Sequence, residues 1–141
     1  MVGIERNPEI ANRIANSEGV REFLRPDGGE IDMTPLCEMR PTQSGAVLLS
    51  NGDDALSVFE LTCDGVFQGH IAFADTCRGK RAIETAREMI HFMWDHGADV
   101  IWGDVPKWNK PAIWLMHQIG FVTQPASDED SEILEIRRTV H

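Results

Sequence analysis

A short basic turn is the part of the chain best suited to bind an anion. Its residues are Arg78-Gly79-Lys80-Arg81, a local positive cluster in a chain whose formal net charge is −10. A strand is predicted before this turn and a helix after it. The backbone N–H groups at a helix N-terminus lack partners, and the helix dipole favours negative charge there. Because Gly79 lets a ligand approach the backbone closely, the turn predicts a phosphate site, with an unliganded basic helix start as the alternative.

The elements that flank this turn follow from the periodicity of the apolar residues. Turn residues such as Asp64-Gly65 separate alternating runs, a pattern that predicts antiparallel strands. The predicted strands are Ala46–Ser50, Ala55–Cys63 and Val66–Ala74. Apolar residues at a 3.6-residue period predict a helix over Gly79–His96, and the short apolar run Val100–Val105 is typical of a buried central strand.

The two ends of the chain are predicted to complete one domain. Asn7-Pro8 is typical of a helix start, because Asn caps the helix and Pro is tolerated in its first turn. Further elements are predicted at Val20–Leu24 (helix), Asn109–Ile119 (helix), Phe121–Thr123 (strand) and Ile133–Val140 (strand). Within Ile31–Thr42, Pro35 and Pro41 are expected to prevent a regular element. The order predicts a single mixed α/β domain, residues 1–141, with one parallel strand–helix–strand crossover.

The composition argues against several classes of protein. A charge of −10 argues against a general nucleic-acid binder, which needs a basic surface, although a surface that mimics nucleic acid stays open. No run approaches the ~20 apolar residues of a membrane span, and we expect neither a signal peptide nor membrane association. Cys37, Cys63 and Cys77 have no paired spacing and form no zinc pattern with the histidines. We therefore expect reduced thiols, a cytoplasmic protein and no metal.

A second motif follows the basic turn after one helix and one strand. It is Asn109-Lys110-Pro111-Ala112, and its predicted helix is followed by Gly120-Phe121. Together the two motifs, over roughly Ala55–Phe121, resemble the GNAT acyltransferase family. That family has a pyrophosphate-binding turn of the form Gln/Arg-x-x-Gly-x-Gly/Ala, here Thr76–Arg81, and later an Asn-x-x-Ala helix that ends in Gly-Phe. The series from Gly69-His70 to Gly120-Phe121 also resembles a group of GNAT-like proteins encoded by bacteriophages.

The resemblance implies a GNAT-like α/β fold with a mixed sheet that binds acetyl-CoA. It implies transfer of the acetyl group to an amine acceptor, either a small molecule or a protein amino group. Residues 1–44 would then be N-terminal helices and one wall of the acceptor site, 45–121 the cofactor-binding core, and 122–141 the C-terminal strands. A homodimer formed through the late strands is a further implication. The cofactor-binding residues implied by the resemblance are Phe73, Ala74, Arg78, Gly79, Lys80, Arg81, Ala82 and Asn109.

The chain departs from the family pattern at three positions. Thr76 stands where Gln or Arg is usual. Arg81 stands where a small residue lets the pyrophosphate approach, so the side chain of Arg81 must point away. Met116 stands where the family commonly has a Tyr general acid, and the chain contains no Tyr. These departures leave an alternative open, namely a catalytically weak or inactive GNAT-fold protein that acts as a binding module.

Three residues are candidates for the proton transfers that an attacking amine needs. His70 lies mid-strand, close to where the family's sheet opens, and histidine titrates near neutral pH. Glu60, on the neighbouring strand, is an alternative base and can act through a water molecule. Asp104 lies at the end of the parallel strand, where α/β sheets gather ligands, although it can equally cap a loop. His117, next to Met116, would need a rotation of its helix to replace the Tyr.

Overall fold

The computed structural model of the chain describes residues 1–21, 29–38 and 45–139. They form a seven-stranded sheet with helices packed on both faces. The helices are α1 (Pro8–Ala15), α2 (Thr34–Glu38), α3 (Lys80–Asp95) and α4 (Lys110–Ile119). The strands are β1 (Gly3–Ile4), β2 (Ala46–Ser50), β3 (Ala55–Cys63), β4 (Val66–Phe73), β5 (Val100–Pro106), β6 (Val122–Thr123) and β7 (Ser131–Arg137). None of the helices within the described ranges combines the length and apolar character that a bilayer span requires.

The strand order is β1-β2-β3-β4-β5-β7-β6. Neighbouring strands are antiparallel except for β4 and β5, which are parallel and are connected through α3. Gly65, in the hairpin between β3 and β4, has a φ of +74°, a conformation that glycine adopts without steric cost. The arrangement confirms the predicted mixed α/β fold with one central strand–helix–strand crossover.

Two apolar clusters hold the helices to the sheet. On one face α3 and α4 contribute Met89 and Met116, which belong to the same cluster as Phe59 of β3. On the other face α1 contributes Ile14, which belongs to a second cluster with Leu56 of β3. Because successive strand residues point to opposite faces, β3 supplies side chains to both clusters. The side chains of β4 are divided between the faces in the same way.

The structure corrects the sequence prediction near the N-terminus. Helix α2 lies inside the stretch 31–42 that was expected to be irregular, because Pro35 occupies its first turn, where a missing N–H costs nothing. Strand β1 has two residues, too few for an alternating pattern to be recognised. The helix predicted over Val20–Leu24 lies mostly outside the described residues. Strand β7 begins at Ser131, two residues earlier than predicted, and ends at Arg137, and Val140 lies outside the described residues.

Candidate functional site

The central feature of the sheet is a wedge between the two parallel strands. Strands β4 and β5 are paired only at their first three positions, which end at Gln68↔Trp102. Beyond that point β4 continues to Phe73 beside β3, and β5 continues to Pro106 beside β7. The two strands therefore separate towards their carboxyl ends, which is the end of a parallel sheet where ligands are usually bound.

One edge of the wedge carries peptide groups that β5 does not pair with. The N–H group of Ala74 donates to the carbonyl oxygen of Asp54, 2.8 Å away, on the side of β3. Successive residues of a strand direct their peptide groups to opposite edges, so the peptide groups of Ile71 and Phe73 face the wedge. An extended ligand with amide groups could form hydrogen bonds with this edge as an added strand does.

A cavity of about 530 Å³ lies at the wedge and continues between the N-terminal part of α3 and the length of α4. Most of its lining is apolar, and its polar side chains are Arg78 before α3 and Asn109 before α4. The lining residues are Gly19, Ile71, Ala72, Phe73, Arg78, Gly79, Ala82, Ala86, Asn109, Pro111, Ala112, Trp114, Leu115, Met116 and Ile119. A largely apolar cavity of a few hundred Å³ with a few convergent polar groups is the usual form of a small-molecule site.

The N-terminus of α3 opens into this cavity without a cap. Asn7 and Asn109 cap α1 and α4 with their side chains, but Gly79 before α3 provides no side-chain cap. The first hydrogen bond within α3 runs from the N–H group of Ile83 to the oxygen of Gly79. The N–H groups of residues 79–82 therefore have no acceptor inside the helix. A Cβ added at Gly79 would meet no atom within 4 Å, so there is open space beside this residue, which lines the cavity.

Arg78 is the cation that lines the cavity at this end. Its guanidinium lies 2.9 Å from a carboxylate oxygen of Asp75, and more than half of each side chain is exposed. An exposed ion pair contributes little free energy, so Arg78 can exchange Asp75 for another anion at small cost. The uncapped helix, the open space at Gly79 and Arg78 together form a site suited to a phosphate group.

Comparison with solved structures shows which proteins share this architecture. The Salmonella typhimurium protein yncA, whose structure contains its cofactor acetyl-CoA, matches with a TM-score of 0.71 and 14% identity over 100% of this chain and 95% of that one. A GNAT-family acetyltransferase from Streptococcus pneumoniae matches with a TM-score of 0.72 and 14% identity over 98% and 99% of the two chains. This chain has the GNAT acetyltransferase fold. A chimera of the spermidine N-acetyltransferase SpeG from Vibrio cholerae and hSSAT matches similarly, with a TM-score of 0.73 and 13% identity over 97% and 94%.

Comparison by sequence identifies fewer relatives than comparison by structure does. No protein-family model matches it, and no curated protein sequence matches it. The GNAT fold is therefore established by shape, and the roles of single residues have to be argued from their contacts.

Five of the eight predicted cofactor residues line the cavity of this GNAT fold: Phe73, Arg78, Gly79, Ala82 and Asn109. The other three are directed elsewhere. The N–H group of Ala74 is bonded to Asp54, and its side chain lies in the cluster on the α1 face. The ammonium group of Lys80 is exposed and lies 3.8 Å from Glu84. Arg81 binds two carboxylates, as described next, so its side chain points away from the cavity.

Arg81 and Thr76 both contact one buried carboxylate. Arg81 donates to Asp54 at 2.9 Å and to Asp53 at 3.0 Å, and the hydroxyl of Thr76 donates to Asp54 at 2.9 Å. Burial alone would raise the pKa of Asp54, but the hydrogen bonds from Arg81, Asn51 and Thr76 outweigh it and lower this pKa to about 2. Asp54 is therefore ionised at neutral pH.

Two of the three candidate proton-transfer residues lie side by side. The ring Nε2 of His70 is 3.5 Å from a carboxylate oxygen of Glu60, and both side chains are partly exposed. The pairing Gln68↔Trp102 puts Asp104 on the same face of the sheet as His70, the face on which α1 packs. Among the described residues, no hydrogen bond or ion pair joins Asp104 to His70 or Glu60. The described residues also contain no group of three or more metal-ligating side chains close enough to hold an ion.

The position of the usual GNAT general acid holds a buried thioether. Met116 is 9% exposed and lines the cavity, so this position does face the site, but a thioether has no proton to donate. His117, the next residue, is directed away from the cavity. Its ring contacts the carbonyl oxygen of Phe121 at 3.1 Å and the hydroxyl of Thr123 at 3.3 Å.

Several lining residues were not singled out from the sequence as site residues. Ala86 of α3 and Leu115 and Ile119 of α4 were predicted only as parts of helices. Their sequence signal, an apolar face at helical period, is the same for a packed core and for the wall of a cavity. The separation of β4 from β5 is what makes these residues the wall of a cavity and not part of a packed core. That separation depends on strand register.

Proposed function

We propose that the chain is an acetyl-CoA-dependent N-acyltransferase that transfers an acetyl group to an amine acceptor. One observation carries this proposal: a single cavity joins the uncapped N-terminus of α3 to the open edge of β4 at Ile71 and Phe73. The first end suits a pyrophosphate and the second suits an amide-containing arm. The structure of yncA contains acetyl-CoA, and the SpeG chimera is named as a spermidine N-acetyltransferase, which supports the same cofactor and acceptor chemistry here.

In this proposal different cavity residues bind different parts of the cofactor. The N–H groups of residues 79–82 and the guanidinium of Arg78 hold the pyrophosphate, because a helix N-terminus and an arginine both favour phosphate oxygens. The peptide groups of Ile71 and Phe73 bind the amides of the pantetheine arm. Asn109, which accepts a hydrogen bond from the N–H of Ala112 at 3.4 Å, fixes the start of α4 beside that arm.

When bound, acetyl-CoA supplies an activated acetyl thioester to the wedge. His70 accepts the proton of the attacking amine, and the carboxylate of Glu60 stabilises the imidazolium that results. A wedge-facing backbone N–H of β4 that is not used by the pantetheine arm would donate to the carbonyl oxygen of the thioester and stabilise the negative charge that develops there. Asp104 remains a second candidate base on the same face. Because Met116 cannot donate a proton, this position would supply no acid catalysis to the thiolate leaving group.

Met116 also favours a second candidate function. A site that binds the cofactor but lacks the usual acid would give a weak or inactive GNAT-fold protein that acts by binding a partner. The two candidates share the cofactor and differ in turnover, so one pair of measurements separates them.

The test begins with cofactor binding. Acetyl-CoA at ~100 times its Kd adds about 2.7 kcal/mol to the free energy of unfolding, which should raise Tm by several degrees in differential scanning fluorimetry. No shift at millimolar acetyl-CoA would refute the cofactor. Release of free CoA thiol is then measured with a panel of amines that includes polyamines and lysine peptides. Acceptor-dependent release supports the enzyme, whereas a Tm shift with background hydrolysis alone supports the binding module.

The proposal also covers the domain organisation, origin, location and oligomeric state of the protein. We propose a single domain over residues 1–141, encoded by a bacteriophage and active in the host cytoplasm as a homodimer. The free thiols Cys37, Cys63 and Cys77 are consistent with a reducing compartment. Size-exclusion chromatography with light scattering would test the dimer.

A further inference from the structure

The turn between β2 and β3 lies beside the proposed pyrophosphate site and is held rigidly by one side chain. The amide oxygen of Asn51 accepts hydrogen bonds from the N–H groups of Asp53, Asp54 and Ala55 at 2.9–3.0 Å. The amide nitrogen of Asn51 donates to the carboxylate of Asp54 at 2.8 Å. Asp54 is 3% exposed, so both its backbone and its carboxylate have a fixed position.

From this position Asp54 contacts the anion-binding turn on both sides of Gly79. Before the glycine, its carbonyl oxygen accepts from the N–H of Ala74 at 2.8 Å, and its Oδ2 accepts from the hydroxyl of Thr76 at 2.9 Å. After the glycine, its Oδ1 accepts from Arg81 in the first turn of α3 at 2.9 Å. One residue therefore connects the end of β4 to the start of α3.

The same contacts determine the charge at the turn. Asp53 and Asp54 both bind the guanidinium of Arg81, so Arg81 adds little net positive charge to the turn. The attraction for an anion then comes from Arg78 and the backbone N–H groups of residues 79–82. Those N–H groups attract an anion only while the turn keeps them directed into the cavity.

We propose that Asp54 is a positioning residue that sets the affinity of the site for coenzyme A. It holds the turn Thr76–Arg81 in the conformation that directs the backbone N–H groups of residues 79–82 towards the pyrophosphate. A site that is already ordered loses less conformational entropy when the ligand binds, and its affinity is higher for that reason. This inference rests on the proposed function, because it requires that coenzyme A binds in this cavity.

The test uses Thr76→Val, which removes one hydrogen bond to Asp54 and retains the β-branched shape. Isothermal titration calorimetry with coenzyme A, at a temperature where every variant is folded, should show Kd raised roughly three- to tenfold. Thr76→Ser keeps the hydroxyl and should restore the wild-type Kd. Thr123→Val is the matched control, since its hydroxyl contacts His117 and Glu132 away from the cavity, and its Kd should stay near the wild-type value.

Steady-state kinetics separate a positioning role from general damage. Thr76→Val should raise KM for acetyl-CoA and leave kcat nearly unchanged, because the lost contact lies far from the reacting thioester. A wild-type Kd for Thr76→Val would overturn the role of Asp54 and leave the proposed function standing. Absence of coenzyme A binding by the wild-type protein would overturn both. Equal weakening by Thr76→Val and Thr76→Ser would also contradict the inference, because the hydroxyl would then be irrelevant.

Discussion

The lowered pKa of Asp54 makes the stability of the protein depend on pH in a way that can be calculated. The ordinary pKa of 3.8 is lowered to about 2 in the folded protein, chiefly through hydrogen bonds that overcome the effect of burial. At about 1.36 kcal/mol per pKa unit, this difference corresponds to at most about 2.4 kcal/mol of stability. Asparagine at position 54 cannot ionise, so Asp54→Asn removes this pH dependence.

The sign follows from which state binds the proton more tightly. The unfolded chain takes up a proton at Asp54 near pH 3.8, whereas the folded chain resists protonation until about pH 2. The contribution of Asp54 is therefore complete well above pH 4 and is lost as the pH falls through 3.8 towards 2. By pH 3 about 1 kcal/mol of it should be lost.

The assay is urea denaturation of the wild-type protein and Asp54→Asn at pH 6 and at pH 3. At pH 6 the wild-type protein should be more stable than Asp54→Asn. This difference in the free energy of unfolding should shrink by about 1 kcal/mol at pH 3. The comparison cancels the titration of the other carboxyl groups, which both proteins share. A difference that stays constant between the two pH values would show that Asp54 titrates normally, and it would refute the hydrogen-bond network as described.

Two further predictions concern the turn and the base. Gly79→Ala adds a Cβ that meets no neighbouring atom, so its cost is backbone strain of about 1–3 kcal/mol at φ +61° and ψ −132°. If the turn changes conformation to relieve this strain, coenzyme A binding should weaken, which calorimetry would measure. Gly97→Ala is its matched control, because Gly97 has a φ of +99° and equally open surroundings at the far end of α3; it should lose stability and keep the wild-type Kd. His70→Ala should lower kcat by about 10²-fold or more while the Kd for acetyl-CoA changes little, measured by thiol release and calorimetry. Equal losses in kcat and in affinity would exclude His70 as the base.

The parts of the fold that could be predicted from sequence are those encoded locally. The apolar stripe of α3 and the alternating strands around Asp64-Gly65 gave these elements to within a residue or two, and the helix predicted over Asn109–Ile119 was also confirmed. Helix α2 was missed because Pro35 was interpreted as a breaker, although its effect depends on its position in the helix. In each of these cases a short stretch of chain contains the deciding information.

The parts that could not be predicted depend on contacts between distant segments. The family resemblance indicated that the side chain of Arg81 must point away, but the basic turn gave no indication of its partner, because Asp54 lies 27 residues before Arg81. The wedge itself is a property of register, since pairing of β4 with β5 ends at Gln68↔Trp102. No periodicity in either strand marks that point.

The two unusual residues of the turn, Thr76 and Arg81, are explained together by a third. A small residue at position 81 would leave the carboxylate of Asp54 buried without its cation, and breaking such a pair is strongly unfavourable. Arg81 in turn is compatible with an open cavity only because Asp54 and Asp53 draw its side chain to the other side of the helix. Thr76 adds the remaining hydrogen bond to the same carboxylate. These two departures from the GNAT pattern are therefore linked through Asp54, and substituting either Thr76 or Arg81 alone towards the common pattern should be harmful.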